Sequence, residues 1–285
     1  MSNIIGDIHR HTSRLAQLLE RLGYERDAQS WCHPGRKAIF VGDFIDRGPD
    51  ELETNRLVGS LIDRCAALAV MGNHEFNAVA FKKTHPDQDG ERLRSHTEKN
   101  GNRHATFLDR VGEYSALHDE IIAWFKTLPL YLDLDGDRVV HACWHDEAFN
   151  IFELLLDDRQ PLQTDAWLSA ATPGNQACPA AETLLKGLEI PLPGGENFLD
   201  KDGYERQYIR TRWWGKEAST YCAVGMLDEA TRQTLPDQLN QADVLSGYAA
   251  DKPMFVGHYW LRGTPEPMSD RSGARREVDR VSVGG

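Results

Sequence analysis

The sequence predicts an α/β layered fold. Three observations carry this. Short apolar runs recur near the start of the chain, each ends in a Gly-Asp or Gly-Asn turn, and each turn leads into a stretch with helical spacing. Strand, polar turn and helix alternating in this way build a sheet with helices packed against it.

Asn3-Ile4-Ile5 reads as the first strand, followed by Gly6-Asp7-Ile8-His9. Leu15, Leu18, Leu19 and Leu22 then fall on one helical face, with Thr12 or Ser13 as the cap. Ala38 to Val41 is the second strand, its turn starts at Gly42-Asp43, and a helix is expected from about Glu51 to Arg64. Ala67 to Met71 is the third and runs into Gly72-Asn73-His74-Glu75.

Residues 82–103 are nearly all polar and are expected as a loop or lid. Helical periodicity returns between Phe107 and Phe125, and Leu130 to Leu134 with Arg138 to His141 reads as a hairpin around Asp135-Gly136-Asp137. Within a single domain spanning 1–285, residues 146–250 read as a helical cap insertion over the site. They carry amphipathic helices, the stretch Pro191-Leu192-Pro193-Gly194-Gly195, and Trp213-Trp214. Pro253 to Val256 is the last strand and ends at Gly257-His258. Beyond Pro267 the chain is Arg-rich; for 268–285 a weak strand through Val278, Val281 and Val283 and a disordered tail both stay open.

A chain of 285 residues, 40% hydrophobic and 27% charged, has enough apolar surface for a sizeable core. Its net charge of −12 argues against a nucleic-acid duplex as partner, because such binding depends on lysine and arginine neutralising phosphates. Bound cations and a few arginines can still hold a phosphate locally. The cysteines Cys32, Cys65, Cys143, Cys178 and Cys222 are scattered and show no CxxC spacing, so neither a disulfide framework nor a structural zinc site is expected. The start of the chain leaves no room for an apolar signal segment and no run approaches membrane-spanning length, so a cytoplasmic protein is expected.

The chemistry gathers where strands end. Asp7 and His9, Asp43, Asn73, His141 and His258 all follow apolar runs, and open α/β sheets collect ligands at the carboxyl ends of their strands. Carboxylate and amide oxygens mixed with imidazole nitrogens suit Mn²⁺, Fe²⁺ or Zn²⁺. A single Gly-Asp or Asn-His pair is most often only a turn; several in order, each after a strand, read as a metal site. His11, His33, His85, His96, His104, His118 and His145 read as surface residues, and Trp144, Trp213, Trp214, Tyr259 and Trp260 as packing.

Gly6-Asp7-Ile8-His9, Gly42-Asp43-Phe44-Ile45-Asp46-Arg47-Gly48-Pro49 and Gly72-Asn73-His74-Glu75 resemble the signature blocks of the calcineurin-like metallophosphoesterases. The longer second block is similar to the phosphoprotein-phosphatase branch, which holds serine/threonine phosphatases and diadenosine tetraphosphatases. The resemblance implies a layered β-sandwich flanked by helices and two divalent metal ions, Mn²⁺ first and Fe or Zn as alternatives. It implies one metal on Asp7, His9 and Asp43 and another on Asp43, Asn73, His141 and His258, with Asp43 bridging and a shared water made nucleophilic for in-line attack. His74 is then the general acid, oriented by Asp46. Arg47 clamps the phosphate, Asn73 contributes there too, and a second clamp comes from Arg210 or Arg212, of which Arg212 is preferred. Two departures from the family pattern stand out: Arg10 where glycine is usual, and Ala142-Cys143 where Gly-Gly is common.

The leading expectation is a phosphomonoesterase acting on a phosphorylated small molecule, nucleotide or phosphoprotein, with phosphoserine and phosphothreonine as candidate substrates. The alternatives are a symmetrical dinucleoside tetraphosphate hydrolase and a non-catalytic phosphate-binding homologue. Retention of the His74 and Asp46 pair argues against the last, because binding alone needs no proton donor.

Overall fold

The computed structural model describes residues 2–9, 11–46, 51–199, 203–215, 220–234, 248 and 252–259. The first half alternates as its apolar runs suggest: β1 (Ser2–Ile5), α1 (Thr12–Arg21), a small hairpin of β2 (Glu25–Arg26) and β3 (Trp31–Cys32), β4 (Lys37–Phe40), α2 (Glu51–Asp63), β5 (Ala67–Ala69) and α3 (Asn73–Lys82). Two further helices follow, α4 (Glu98–Val111) and α5 (Ala116–Phe125), then the hairpin of β6 (Tyr131–Asp133) and β7 (Arg138–Val140). After α6 (Asp146–Phe152), α7 (Ala166–Ala171) and α8 (Ala177–Lys186) come the short strands β8 (Glu189–Pro191), β9 (Phe198–Leu199), β10 (Glu205–Arg206) and β11 (Tyr208–Arg210). The helices α9 (Tyr221–Val224) and α10 (Glu229–Thr234) precede the last described strand, β12 (Met254–Phe255).

Two sheets carry the architecture. In one, β4 lies between β1 and β5 with both pairings parallel; in the other, β7 lies between β6, antiparallel, and β12, parallel. Side chains alternate along β4 and just past it: Phe40 faces the helices, while Ile39 and Val41 face Val139 and Phe255 of the second sheet. Ile39, Val41, Val70 and Val139 are fully buried between the sheets, the dry middle layer of a sandwich. The larger core lies on the other face, where Leu15 and Leu19 of α1, Val58 and Leu61 of α2 and Phe76 of α3 meet α4 to α8.

Several expectations need correction. The polar stretch 82–103 serves as a connection only between α3 and α4. Thr97 accepts the Asn100 N–H and starts a helix whose buried stripe is His104, Phe107 and Val111, and the connection is tied down by a bridge between Thr84 and Arg92 and by buried Leu93. The helical stretch through Phe107 to Phe125 is interrupted at Gly112, whose φ of 75° ends α4, and restarts where the Ser115 hydroxyl accepts the His118 N–H. His104 and His118 are buried against Phe107 rather than at the surface, because they occupy apolar-stripe positions of α4 and α5.

The segment from 146 divides in two. Trp167 of α7 stacks on Phe76 of α3 at 5.1 Å, so α6 to α8 complete the main core. Beyond them Ile190, Leu192, Ile209, Tyr221 and Val224 form a small core of their own under short strands as well as helices. Residues 235–247 of this segment and the tail 268–285 lie outside the described residues. No helix among the described residues is long and apolar enough to cross a membrane.

Candidate metal centre

Five strand ends deliver the candidate ligands to one place. Asp7 and His9 follow β1, Asp43 follows β4, Asn73 opens α3 after β5, His141 follows β7 and His258 follows β12. The turns are tight. Four of the seven non-glycine residues with positive φ are His9, Asp43, Asp46 and His258, so backbone strain among the described residues concentrates here. The glycines between them are there for space. A Cβ on Gly257 would lie 2.2 Å from Asp7 Oδ1, and one on Gly72 would lie 2.3 Å from Asp43 Oδ1.

Backbone bonds lock the turns together. The His9 N–H donates to the Asp43 carbonyl at 2.9 Å, the Gly257 N–H to the His141 carbonyl at 2.9 Å, and the His258 N–H to Asp7 Oδ2 at 2.8 Å. Glu75, to which the sequence assigns no role beyond its motif, is fully buried and accepts the N–H groups of Asp43, Phe44 and Gly72.

Asp43 is the hub. Its carboxylate belongs to two groups of potential ligand atoms, one with His9 and His74 and the other with His141 and His258, each within 4.8 Å. His141 Nε2 is 3.4 Å from Asp43 Oδ1, and Nε2 of both His9 and His74 is 3.9 Å from Asp43 Oδ2. Asn73 Oδ1 lies 3.1 Å from His141 Nε2 and 2.8 Å from His258 Nδ1. His74 Nδ1 pairs closely with Asp46 Oδ2.

The donor set fits divalent cations. His141 Nδ1 donates to the Val41 carbonyl at 2.6 Å, so in the neutral ring the Nε2 lone pair faces the oxygens of Asn73 and Asp43. Asp7 Oδ1 and His258 Nε2 are buried with no hydrogen-bond partner among the described residues. Such a gathering of lone pairs is costly unless positive charge stands among them.

The electrostatics record the same crowding. Burial, and then the charge of Asp43, pushes the Asp7 carboxyl up to about 6. Burial works against the Asp43 charge, yet His141 and His74 hold its carboxyl well below the usual range. Burial likewise opposes the imidazolium of His141, but Asp43 outweighs it and raises the pKa to about 9. His74 is also raised, burial opposing and Asp43 and Asp46 prevailing. Burial, His141 and Arg210 lower His258 to about 2.

The arginines divide differently from expectation. Arg47 lies outside the described residues. Arg212 is exposed, because β11 ends at Arg210 and the chain turns away with the Gly215 N–H donating to the Arg212 carbonyl. Arg210 is the one whose charge reaches His258; it pairs with Glu189 at 3.1 Å and keeps Nε buried with no hydrogen-bond partner among the described residues. Beside His258, Tyr259 accepts the Trp213 Nε1–H at 3.0 Å and packs edge-on to Trp214, so this aromatic group is largely committed to packing.

Residues 3–187 match the family described as calcineurin-like phosphoesterase, a span that holds every candidate ligand except His258. The chain is 35% identical over 141 residues to a bis(5'-nucleosyl)-tetraphosphatase PrpE [asymmetrical] of Geobacillus sp. (strain WCH70), covering 49% of this chain and 55% of that protein. It is 48% identical over 149 residues to the protein of that name from Geobacillus thermodenitrificans, with coverages of 49% and 55%. A symmetrical bis(5'-nucleosyl)-tetraphosphatase of Aromatoleum aromaticum is 34% identical over 138 residues, with coverages of 48% and 42%. The chain therefore spans about half the length of the curated relatives it matches. Among solved structures, a serine/threonine phosphatase from Saccharomyces cerevisiae aligns at 18% identity and a TM-score of 0.40, covering 71% of this chain and 52% of that one. The family match takes in well over half of the sequence, and the chain belongs to the calcineurin-like phosphoesterases, hydrolases that act on phosphate esters with the help of divalent metal ions.

Proposed function

We propose that this chain hydrolyses a dinucleoside tetraphosphate at a centre of two divalent cations. The observation that carries the reading is the cluster of lone-pair donors around Asp43, which is shared by two ligand groups. Asp7, His9 and Asp43 would hold one cation and Asp43, Asn73, His141 and His258 the other. When bound, the cations supply Lewis acidity: they neutralise phosphate charge and bring the pKa of water near neutrality. Oxygen and imidazole donors without thiolate favour Mn²⁺, with Fe or Zn as the alternatives.

The chain's own residues do the rest. Asp43 and Asp7 supply the negative charge that retains the cations. Arg47 and Arg210 bring cationic forks to the phosphate oxygens, a geometry suited to two-point binding, and Asn73 offers its amide there. His74, whose pKa Asp43 and then Asp46 raise against burial and whose ring Asp46 orients, would protonate the departing oxygen. The tetraphosphate substrate is drawn from the names of the relatives. Incubation of the Mn²⁺-loaded protein with diadenosine tetraphosphate tests it: two ADP indicate symmetrical cleavage, ATP with AMP asymmetrical cleavage, and intact substrate rejects the reading.

One observation favours a phosphomonoester instead. The His74 and Asp46 pair is a fully assembled proton donor, and a strongly basic alkoxide needs that proton far more than a weakly basic nucleotide phosphate does. Release of inorganic phosphate from phosphoserine peptides at a higher kcat/KM than cleavage of the dinucleotide supports this second substrate.

A further inference from the structure

Glu75 is 0% exposed, a position carboxylates occupy only with dedicated partners. Its partners are backbone. Oε1 accepts the Phe44 N–H at 2.8 Å, while Oε2 accepts those of Asp43 at 2.9 Å and Gly72 at 3.0 Å. Two consecutive amides, those of Asp43 and Phe44, thus converge on one carboxylate, the arrangement by which a turn grips an anion.

Asp43 has a φ of 56° and follows Gly42 at 100°, a left-handed backbone that a residue with a side chain avoids unless its surroundings enforce it. Anchoring the Asp43 N–H on the Glu75 side leaves the Asp43 side chain to project toward His9, His74 and His141. The turns interlock so closely that a Cβ on Gly72 would lie 2.4 Å from the Asp43 nitrogen and 2.7 Å from Glu75 Oε2.

A plainer account is available: Glu75 is the third residue of α3, and its bond to the Gly72 N–H is the return half of a helix N-cap, glycine having no side chain to supply the other half. That explains one of the three bonds. The other two reach the turn after β4, which a helix cap does not require.

We propose that Glu75 is a positioning residue: by holding the Asp43, Phe44 and Gly72 amides together it fixes the left-handed turn that aims the Asp43 carboxylate at both cation sites, and so sets metal affinity without touching metal or substrate. The inference rests on the two-cation reading of Asp43.

Glu75→Gln separates the two accounts, because glutamine can still accept the Gly72 N–H through its single oxygen but cannot serve three donors. In calorimetric titration of chelator-treated protein, Mn²⁺ binding is expected to weaken by about 10- to 100-fold, with the melting temperature of the metal-free form close to wild type. At limiting Mn²⁺ kcat falls, and saturating Mn²⁺ restores most of it with KM unchanged. Wild-type affinity for two ions in folded Glu75→Gln overturns the inference and leaves the two-cation reading intact. A wild-type protein that takes up fewer than two ions overturns both. Should the variant not fold, hydrogen exchange on the metal-free wild type decides. Protected Asp43 and Phe44 amides support the anchor, and exchange at the rate of an open turn removes it.

Discussion

His141 Nε2 faces Asn73 Oδ1 at 3.1 Å while His141 Nδ1 is spent on the Val41 carbonyl. In the neutral ring this sets lone pair against lone pair, a contact that a cation turns from repulsive to favourable. Mn²⁺ at about 100 times its dissociation constant is expected to stabilise the chelator-treated protein by about 2.7 kcal/mol for each site filled, a rise of several degrees in Tm. His141→Ala should remove at least half of that rise. Scanning calorimetry with and without Mn²⁺ is the measurement, and an unmoved wild-type Tm is the result against it.

Asp43→Asn keeps the shape of the hub and deletes the charge shared by both ligand groups. Turnover of para-nitrophenyl phosphate is expected to fall by about 100-fold or more, with bound Mn²⁺ reduced in elemental analysis. Equal rates in the two proteins would contradict the role given to Asp43.

Because His74 pairs with Asp46, its loss should depend on the leaving group. With an alkyl phosphate, His74→Ala is expected to lower kcat by about 10²- to 10⁴-fold. With para-nitrophenyl phosphate, whose leaving group needs little protonation, the loss is much smaller, and Asp46→Asn follows the same pattern more weakly. The same loss with both substrates would deny His74 a proton-donating role.

His118 links structure to pH. It is 1% exposed, and burial, with Lys82 next, lowers its pKa to about 4. The unfolded chain therefore takes up the proton first, near its ordinary pKa of about 6.5. The stability tied to the neutral ring is fully present above that pH and is lost as the pH falls toward 4. Between about pH 7 and pH 5 the loss is on the order of 2 kcal/mol. His104, also lowered to about 4 by burial, adds its own share. Urea unfolding at both pH values should show a shallower dependence for His118→Phe than for the wild type; matching slopes would count against it.

Gly257→Ala tests the closeness of the strand ends. The added methyl would meet Asp7 Oδ1 at 2.2 Å and a Val41 methyl at 2.5 Å. A destabilisation of about 1–3 kcal/mol is expected, along with weaker Mn²⁺ binding, whereas Gly136→Ala, where a Cβ would meet nothing within 4 Å, serves as the control.

Much of this was legible in the sequence because the information is local. An apolar run, a glycine and a metal-type side chain lie side by side at Asp7, Asp43 and Asn73, and the structure brings these together with His141 and His258. What was not legible depends on direction in space. Glu75 sits in a motif, but its work requires that amides from another turn point at it. Arg210 and Arg212 differ by two residues, and only the end of β11 separates a half-buried side chain whose charge reaches His258 from an exposed one. His104 and His118 read as surface residues because histidine is polar, yet each shares a helical stripe with Phe107 or Phe125. The helix beginning at Glu98 was hidden by polar residues on its outer face, its cap at Thr97 being the signal available.

The strand that delivers His258 is only two residues long and pairs in register with Arg138 and Val139, far upstream. Synthesis runs from the N-terminal end, so Asp7, His9, Asp43, Asn73 and His141 all leave the ribosome before His258. A nascent polypeptide halted before Met254 holds all three strands of the first sheet yet lacks His258. The pairing of β12 with β7, which carries His258, is thus a long-range contact that becomes possible only after the rest of the candidate ligand set has been synthesised.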